Sequence, residues 1–282
     1  EPAESILTKA FSKLVSVDSR RWIKFLTDIL PRFSCELAAS FSDFEKRMLQ
    51  MFYITVFQEA ADWRSHTTQA NMQLLADSPI MMHELYELLA LNLERIDFID
   101  QPVPLGFDCP LDLHCTYTRD QILIAMDYMT PKNVREGVKW LPDKQVDVFF
   151  ITLNKADKDY SPTTMYNDYS INESLFHWQS QSTTSDTAST GQRYINHRQR
   201  GSKVVLFVRE FKQDSIGAAP YTCLGTAAYV KHTGSKPMNI TWHQTAKDLS
   251  WLQEYRTKFI VLPLHSTETL KINLSLEVFW TK

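Results

Sequence analysis

Glycine is scarce, with 7 in 282 residues. So low a count argues against collagen-like, glycine-linker and phosphate-loop architectures. The four cysteines, Cys35, Cys109, Cys115 and Cys223, form no C-x-x-C pair. That spacing argues against a disulfide framework or a structural zinc site, and for free thiols in a reducing cytoplasm. No apolar run is long enough to span a bilayer, so no membrane partner is expected. The N-terminus Glu1-Pro-Ala-Glu-Ser5 lacks the basic region and apolar core of a signal peptide. It also lacks a starting Met, so we read the chain as a piece of a longer one. Catalytic signatures are missing too: no G-x-x-x-x-G-K-[ST], no H-E-x-x-H, no G-x-S-x-G, no H-x-K of the phospholipase-D type, no paired His/Cys ligand spacing. The expectation is a non-enzymatic portion with no catalytic residue, metal or cofactor.

What is present divides into two regions. Apolar residues at 44% and charged residues at 22% are ordinary for a globular protein, and the length suits two domains. Residues 1–105 carry ten Lys/Arg against fifteen Asp/Glu, whereas 106–282 carry twenty against eighteen. The net charge of −3 therefore hides a local basic stretch at 191–212, with six cations and one acid, Glu210.

Residues 1–105 read as a helical bundle. Ser19 to Leu30 has apolar residues at helical spacing and stops at Pro31. Ser42-Asp-Phe-Glu45 is a capping box opening a segment that is apolar on nearly all sides, the signature of a central helix. Ser78-Pro79 starts another. Met51, Met72, Met81 and Met82 read as core filling. The stretch from Gln101 to Pro110 breaks the helical pattern and marks a boundary. A short helix capped by Thr118 follows. From about 138 the period becomes two, with strands expected at 146–153, 203–210, 221–230, 238–242, 259–262 and 272–279. Gly225 marks a bulge or barrel corner. The fold class expected is α+β, helices followed by a small closed or nearly closed β-barrel over 106–282. Gln179 to Thr190 is rich in Ser, Thr and Gln and reads as a mobile loop that orders on binding.

The most informative stretch is 160–184. It interleaves Tyr160, Tyr166, Tyr169, Phe176 and Trp178 with Asp168, Asn172, Gln179 and hydroxyl side chains. Rings supply stacking faces and amides read hydrogen-bonding edges, as a pocket for a planar heterocycle requires. A half-buried hairpin with a polar loop has the same composition. Phe176 and Trp178 face the same side if this is a strand. Arg193, His197, Arg198, Arg200 and Lys203 follow at once, as a phosphate-binding arm or as a solvated hairpin. Asp143, Asp147, Asp157 and Asp159, with Lys155 and Lys158 nearby, fit a divalent-metal nuclease or merely solvated strand ends.

The segments 155–166, Leu175–Thr184, Thr190–His197, Leu206–Arg209 and Gly234–Met238, with the opening Tyr117-Thr-Arg-Asp-Gln-Ile-Leu123, closely resemble a family of accessory C-terminal domains long catalogued as of unknown function. These sit behind a phospholipase-D-type nuclease and a superfamily-2 helicase in SauUSI-type, modification-dependent restriction enzymes. The resemblance is strong from about 111 to 240 and weak over the first hundred residues, which look like a coupler to the motor. It implies an SRA/PUA-like barrel, and recognition of DNA carrying 5-methyl- or 5-hydroxymethylcytosine by flipping the base out. The helicase and nuclease domains of the parent chain become its partners. On that reading Tyr160, Tyr166, Tyr169, Phe176 and Trp178 are candidate stacking or packing rings, and Asp168, Asn172 and Gln179 read the base edge. Arg193, His197, Arg198, Arg200 and Lys203 touch the DNA backbone, and Gln192, Tyr194 or the Ser/Thr loop fills the gap left in the duplex. The competing reading is a structural or protein-interaction module that couples the helicase-nuclease to a partner.

Overall fold

The computed structural model describes residues 1–96, 103–154, 168–172 and 174–245. The strands expected at 259–262 and 272–279 lie outside the described residues, as do Tyr160, Tyr166, Asp157, Asp159, Lys155 and Lys158.

Six helices come first: α1 (Glu4–Leu14), α2 (Arg20–Ile29), α3 (Cys35–Ser40), α4 (Asp43–Phe57), α5 (His66–Ala76) and α6 (Pro79–Arg95). Four of them, α2 to α5, begin at a serine whose hydroxyl caps the first turn. The Ser42 Oγ accepts from the Glu45 amide at 3.3 Å, and the Glu45 carboxylate accepts from the Ser42 amide at 2.9 Å. That reciprocal bond satisfies two donors that a helix start otherwise leaves open. Helix α4 is buried continuously from Arg47 to Val56, as the all-round apolar pattern requires of a central helix. Ser78 precedes α6 and Pro79 as expected, but its hydroxyl does not cap. It donates to the Leu74 carbonyl and accepts from the Ala3 amide, tying α1 to α6.

The helices and the sheet share one core. Leu7, Trp22, Phe52 and Leu85 belong to the same buried cluster as Val146, Val148, Phe150, Val205 and Phe207 of the sheet. The joint is polar where it turns. Asp112 accepts from the Ser19 hydroxyl at 2.8 Å and from Arg21 at 2.6 Å. Arg47 reaches Asp108 at 2.6 Å and Asp127 at 3.1 Å. Helix α7 (Arg119–Ala125) carries a second capping box, Thr118 with Gln121, and Gln121 also donates to Thr55 on α4.

Strands β1 (Thr116–Tyr117), β2 (Val138–Leu141), β3 (Val146–Thr152), β4 (Tyr169–Ser170), β5 (Leu175–Gln179), β6 (Lys203–Arg209), β9 (Tyr221–Thr233) and β10 (Asn239–Gln244) form one mixed sheet. Its order is β2-β3-β6-β9-β10-β5-β4, with β1 on β9. β3 and β6 are parallel, Val146 opposite Lys203. Their crossover includes the β4–β5 hairpin and α8 (Ser189–Ile195). Gly225 marks a bulge: β6 skips Leu224, pairing Leu206 with Gly225 and Phe207 with Cys223, at a φ of 84° that an L side chain rarely adopts.

The sheet curls over its second face. Phe149 of β3 and Trp178 of β5 are separated by three strands in the order, yet their ring centroids lie 4.2 Å apart. Tyr194 of α8 meets both edge-on, at 5.5 and 5.6 Å. Trp242 closes this cluster 5.6 Å from Phe149. Among the described residues β2 and β4 end the path without pairing to each other. The architecture is α+β with helices first and a mixed, curled sheet, and among the described residues no closed barrel is found. Two short strands, β7 (Gln213–Asp214) and β8 (Gly217–Ala218), form a separate hairpin. No described helix is long and apolar enough to cross a membrane.

Candidate nucleic-acid interface

The aromatic stretch divides between core and surface. Phe176 is 2% exposed and Trp178 is 5% exposed, both in the second-face cluster. The strand alternation that put them in phase puts them on the core face of β5, so Phe176 serves packing. Tyr169 points the other way. It is largely exposed and stacks on His177 at 4.6 Å and 11°. Asn172 builds a turn: its Oδ1 accepts from the Ser174 amide and hydroxyl and from the Leu175 amide. Asp168 is nearly buried, and its Oδ1 accepts from the Gln179 amide at 2.9 Å. The Gln179 side chain donates to Asn239 at 3.2 Å.

The basic run is also redistributed. Arg193 forks onto Asp147, Nε to Oδ2 at 2.8 Å and Nη2 to Oδ1 at 2.9 Å, with its guanidinium 4.4 Å from the Trp140 ring. Asp147 is fully buried. Burial pushes its carboxyl pKa up, and the Arg193 hydrogen bond and charge work against that shift. With both oxygens so engaged, Asp147 does not offer the open carboxylate that a metal nuclease needs, and Arg193 is not spare for a phosphate. Among the described residues no group of three or more His, Cys, Asp or Glu is placed to hold a metal.

His197 is buried and its pKa is lowered, first by desolvation, with the Ser202 carbonyl opposing. The Tyr229 amide donates to its Nε2 at 3.0 Å. The proton therefore sits on Nδ1, 3.2 Å from the Ser202 carbonyl. That is a neutral, structural imidazole. Arg198 and Arg200 are exposed in the turn after α8. Lys203 lies over the Phe107 ring at 5.7 Å.

The Ser/Thr/Gln stretch is built into the fold. Thr184 and Ser185 are buried, and Gly191 on α8 lies so close to this loop that a Cβ there would sit 2.0 Å from the Ser185 carbonyl oxygen. Tyr194 is 3% exposed in the ring cluster, which leaves it unable to enter a duplex.

A cleft of about 830 Å³ opens where strand ends of the sheet meet the helical region, whose Lys13, Ile54 and Thr55 also line it. There β3 ends at Thr152, β5 at Gln179 and β6 at Arg209, and β9 begins at Tyr221. Asp168, Trp178 and Gln179 line one side, so three of the sequence-derived base-binding residues share one wall. Arg119, Arg135, Arg209 and Lys212 line the other parts; Arg209 and Lys212 belong to the basic stretch 191–212, but the sequence points to none of the four as a DNA contact. Arg209 is held by the Thr152 hydroxyl at 3.0 Å, the Ala219 carbonyl at 3.1 Å and the Tyr221 ring at 4.4 Å. Arg119 donates to the Val134 and Glu136 carbonyls and lies 4.7 Å from the Phe150 ring. These two guanidiniums are fixed in direction, while Arg135 is exposed at the rim. Asp120, Glu136 and Asp214 also line the cleft, so its charge is mixed.

The chain matches no curated protein. The model of the family described as Domain of unknown function (DUF3427) matches residues 111–259, a span that holds every cleft residue named above, and the chain belongs to that family.

Proposed function

We propose that the cleft receives a nucleobase swung out of DNA, with a cytosine modified at carbon 5 as its preferred occupant. The observation that carries this is the meeting of Asp168, Trp178 and Gln179 with Arg119, Arg135, Arg209 and Lys212 around one opening. Its volume lies within the roughly 300–1,000 Å³ usual for a small-molecule site. Asp168 is the acceptor suited to the cytosine amino group, Gln179 supplies an amide for the rest of the edge, and Trp178 presents an aromatic margin. Arg135 and Lys212 at the opening, with Arg198 and Arg200 farther out, take the phosphates. The resemblance of residues 111–240 to the accessory domains of SauUSI-type restriction enzymes supports modified cytosine over other bases. The SRA/PUA-like barrel, the helicase and nuclease partners and the targeting role in a parent enzyme belong to the same proposal. In it, Tyr160 and Tyr166, which lie outside the described residues, remain candidate stacking rings.

Extruding a base costs a few kcal/mol, and stacking returns roughly 1–3 kcal/mol per base. One methyl group contributes only about 0.8 kcal/mol by burial, close to fourfold. Contact with the methyl alone thus gives modest selectivity. The mixed charge implies only one or two phosphate contacts near the cleft, hence a shallow salt slope. A gel-shift series at one salt concentration, with identical duplexes carrying cytosine, 5-methylcytosine or 5-hydroxymethylcytosine, is the direct test. Tighter binding of a modified duplex supports the reading, and equal binding of all three rejects it. The competing reading, a protein-interaction module, draws on Ile80 and Leu91, exposed on α6. It predicts the equal or absent binding.

A further inference from the structure

The β7–β8 hairpin is built unlike a solvent-facing turn. Its register pairs Gln213 with Ala218 and Asp214 with Gly217, leaving Ser215 and Ile216 at the tip. Two-residue tips ordinarily use Gly, Asn or Asp, since these tolerate the backbone and face water. Here the tip holds an isoleucine that is 52% exposed, and Phe211 at the base of the same hairpin is 51% exposed. Single exposed apolar residues need no explanation. Two of the eight large exposed hydrophobics among the described residues fall within these six positions, and that concentration does.

The hairpin is also held in place. The Asp214 carboxylate accepts from the Ile216 amide at 2.9 Å, the Ala219 amide donates to the Lys212 carbonyl, and Arg209 bonds the Ala219 carbonyl. Lys212, Asp214 and Ile216 line the cleft, so the apolar tip stands at the opening beside cations.

We infer that this hairpin is a wedge for duplex DNA, with Ile216 and Phe211 entering the base stack next to the extruded nucleotide. The inference rests on the base-binding reading of the cleft. Its chemistry is general: apolar side chains inserted between base steps occupy space that unstacking opens, while adjacent cations hold the phosphates. A hairpin tip is narrow enough to enter a groove, and the exposed halves of Ile216 and Phe211 gain by leaving water. Ile216 and Phe211 then act on duplex and contribute little on a single strand, where no stack has to be parted.

The test compares the full chain with a Phe211→Ser, Ile216→Ser variant on two probes. One is a duplex with a single 5-methylcytosine flanked by 2-aminopurine, and the other is the same modified strand alone. The wedge predicts that the variant's loss on duplex exceeds its loss on single strand by about tenfold, a ratio within the stacking range. It also predicts a smaller 2-aminopurine fluorescence rise on duplex binding. Restoring bulk with Ile216→Leu returns both signals. Equal losses on the two probes, or none on either, overturn the wedge while leaving the cleft reading in place. If the unaltered chain shows no preference for the modified duplex, the cleft reading itself fails and takes the wedge with it. Capture of a protein partner through this hairpin, with unchanged DNA binding, likewise overturns it.

Discussion

Two sets of basic residues border this sheet, and they differ in what holds them. The first is contiguous in sequence, Arg193 to Lys203. Its members are a guanidinium committed to buried Asp147, a neutral buried imidazole, two exposed arginines in a turn and a lysine over a ring. The second set, Arg119, Arg135, Arg209 and Lys212, comes from separate segments that the strand order brings to one opening. Charge density along the chain reports mainly how a turn and a helix are solvated. Charge around a cavity reports how strands end. A basic run is therefore weak grounds for naming phosphate contacts until the sheet topology is known.

The comparison breaks most sharply at Arg193. Removing one partner of a buried ion pair strands the other, so Arg193→Ala should lower stability by about 3–5 kcal/mol. Urea unfolding reads this directly, and Asp147→Ala combined with Arg193→Ala should cost less than the two single losses summed. Arg135→Ala, at an exposed rim, should leave stability within about 0.5 kcal/mol. If Arg193→Ala unfolds at the same denaturant concentration as the parent, the division into structural and binding cations is wrong.

Next in size is Gly191→Ala. The new Cβ would overlap the Ser185 carbonyl oxygen, and the overpacking should cost about 1–3 kcal/mol on the same assay.

At the helix–sheet joint the effect depends on pH. Asp18 accepts from the Thr116 amide at 2.7 Å, yet burial pushes its pKa up to about 7. The folded state then holds a proton that the unfolded chain releases, so stability should fall as pH rises from about 4 to about 7. Asp18→Asn should flatten that decline, by about 2 kcal/mol given the side chain's partial contact with water. A stability curve whose slope over this range is unchanged in the variant would show that Asp18 does not titrate there.

The smallest effects test the cleft rim. Arg135→Ala should weaken modified and unmodified duplexes alike, by about 1 kcal/mol each, and Arg198→Ala by less. Selective loss of the modified duplex in either variant would contradict a phosphate role.

How much of this was legible in the sequence follows from the range over which each signal acts. Capping is local, and Ser42 with Glu45 and Thr118 with Gln121 stand where the sequence places them. Alternation is local too: 146–152, 203–209 and 221–233 are strands, and Gly225 is a bulge. What failed depends on long-range pairing. Period two puts Phe176 and Trp178 on one face but does not say that the face is the core. The parallel β3–β6 pair, which carries Thr152 and Arg209 to the same end, has no signature in either strand. Helix α8 lies in a Ser/Thr/Gln-rich stretch of low apolar periodicity, and its packing depends on Tyr194 meeting Phe149 and Trp242, far away in sequence, and on Gly191 fitting against Ser185 and Met238. The wall of Asp168, Trp178 and Gln179 was visible because it is nearly continuous in sequence. The arginines opposite were not, because they come from α7, the segment before β2 and the end of β6, which meet only in the fold.

The central claim is that the cleft holds an extruded cytosine through Asp168, and the affinity of Asp168→Asn for the modified duplex tests it most directly. Asparagine keeps an oxygen for the Gln179 amide but no carboxylate for the cytosine amino group. That amino group is common to modified and unmodified cytosine, so the account predicts that the variant loses about 1–3 kcal/mol on both duplexes, with the unfolding midpoint nearly unchanged. Undiminished binding of the modified duplex by the folded variant would contradict it.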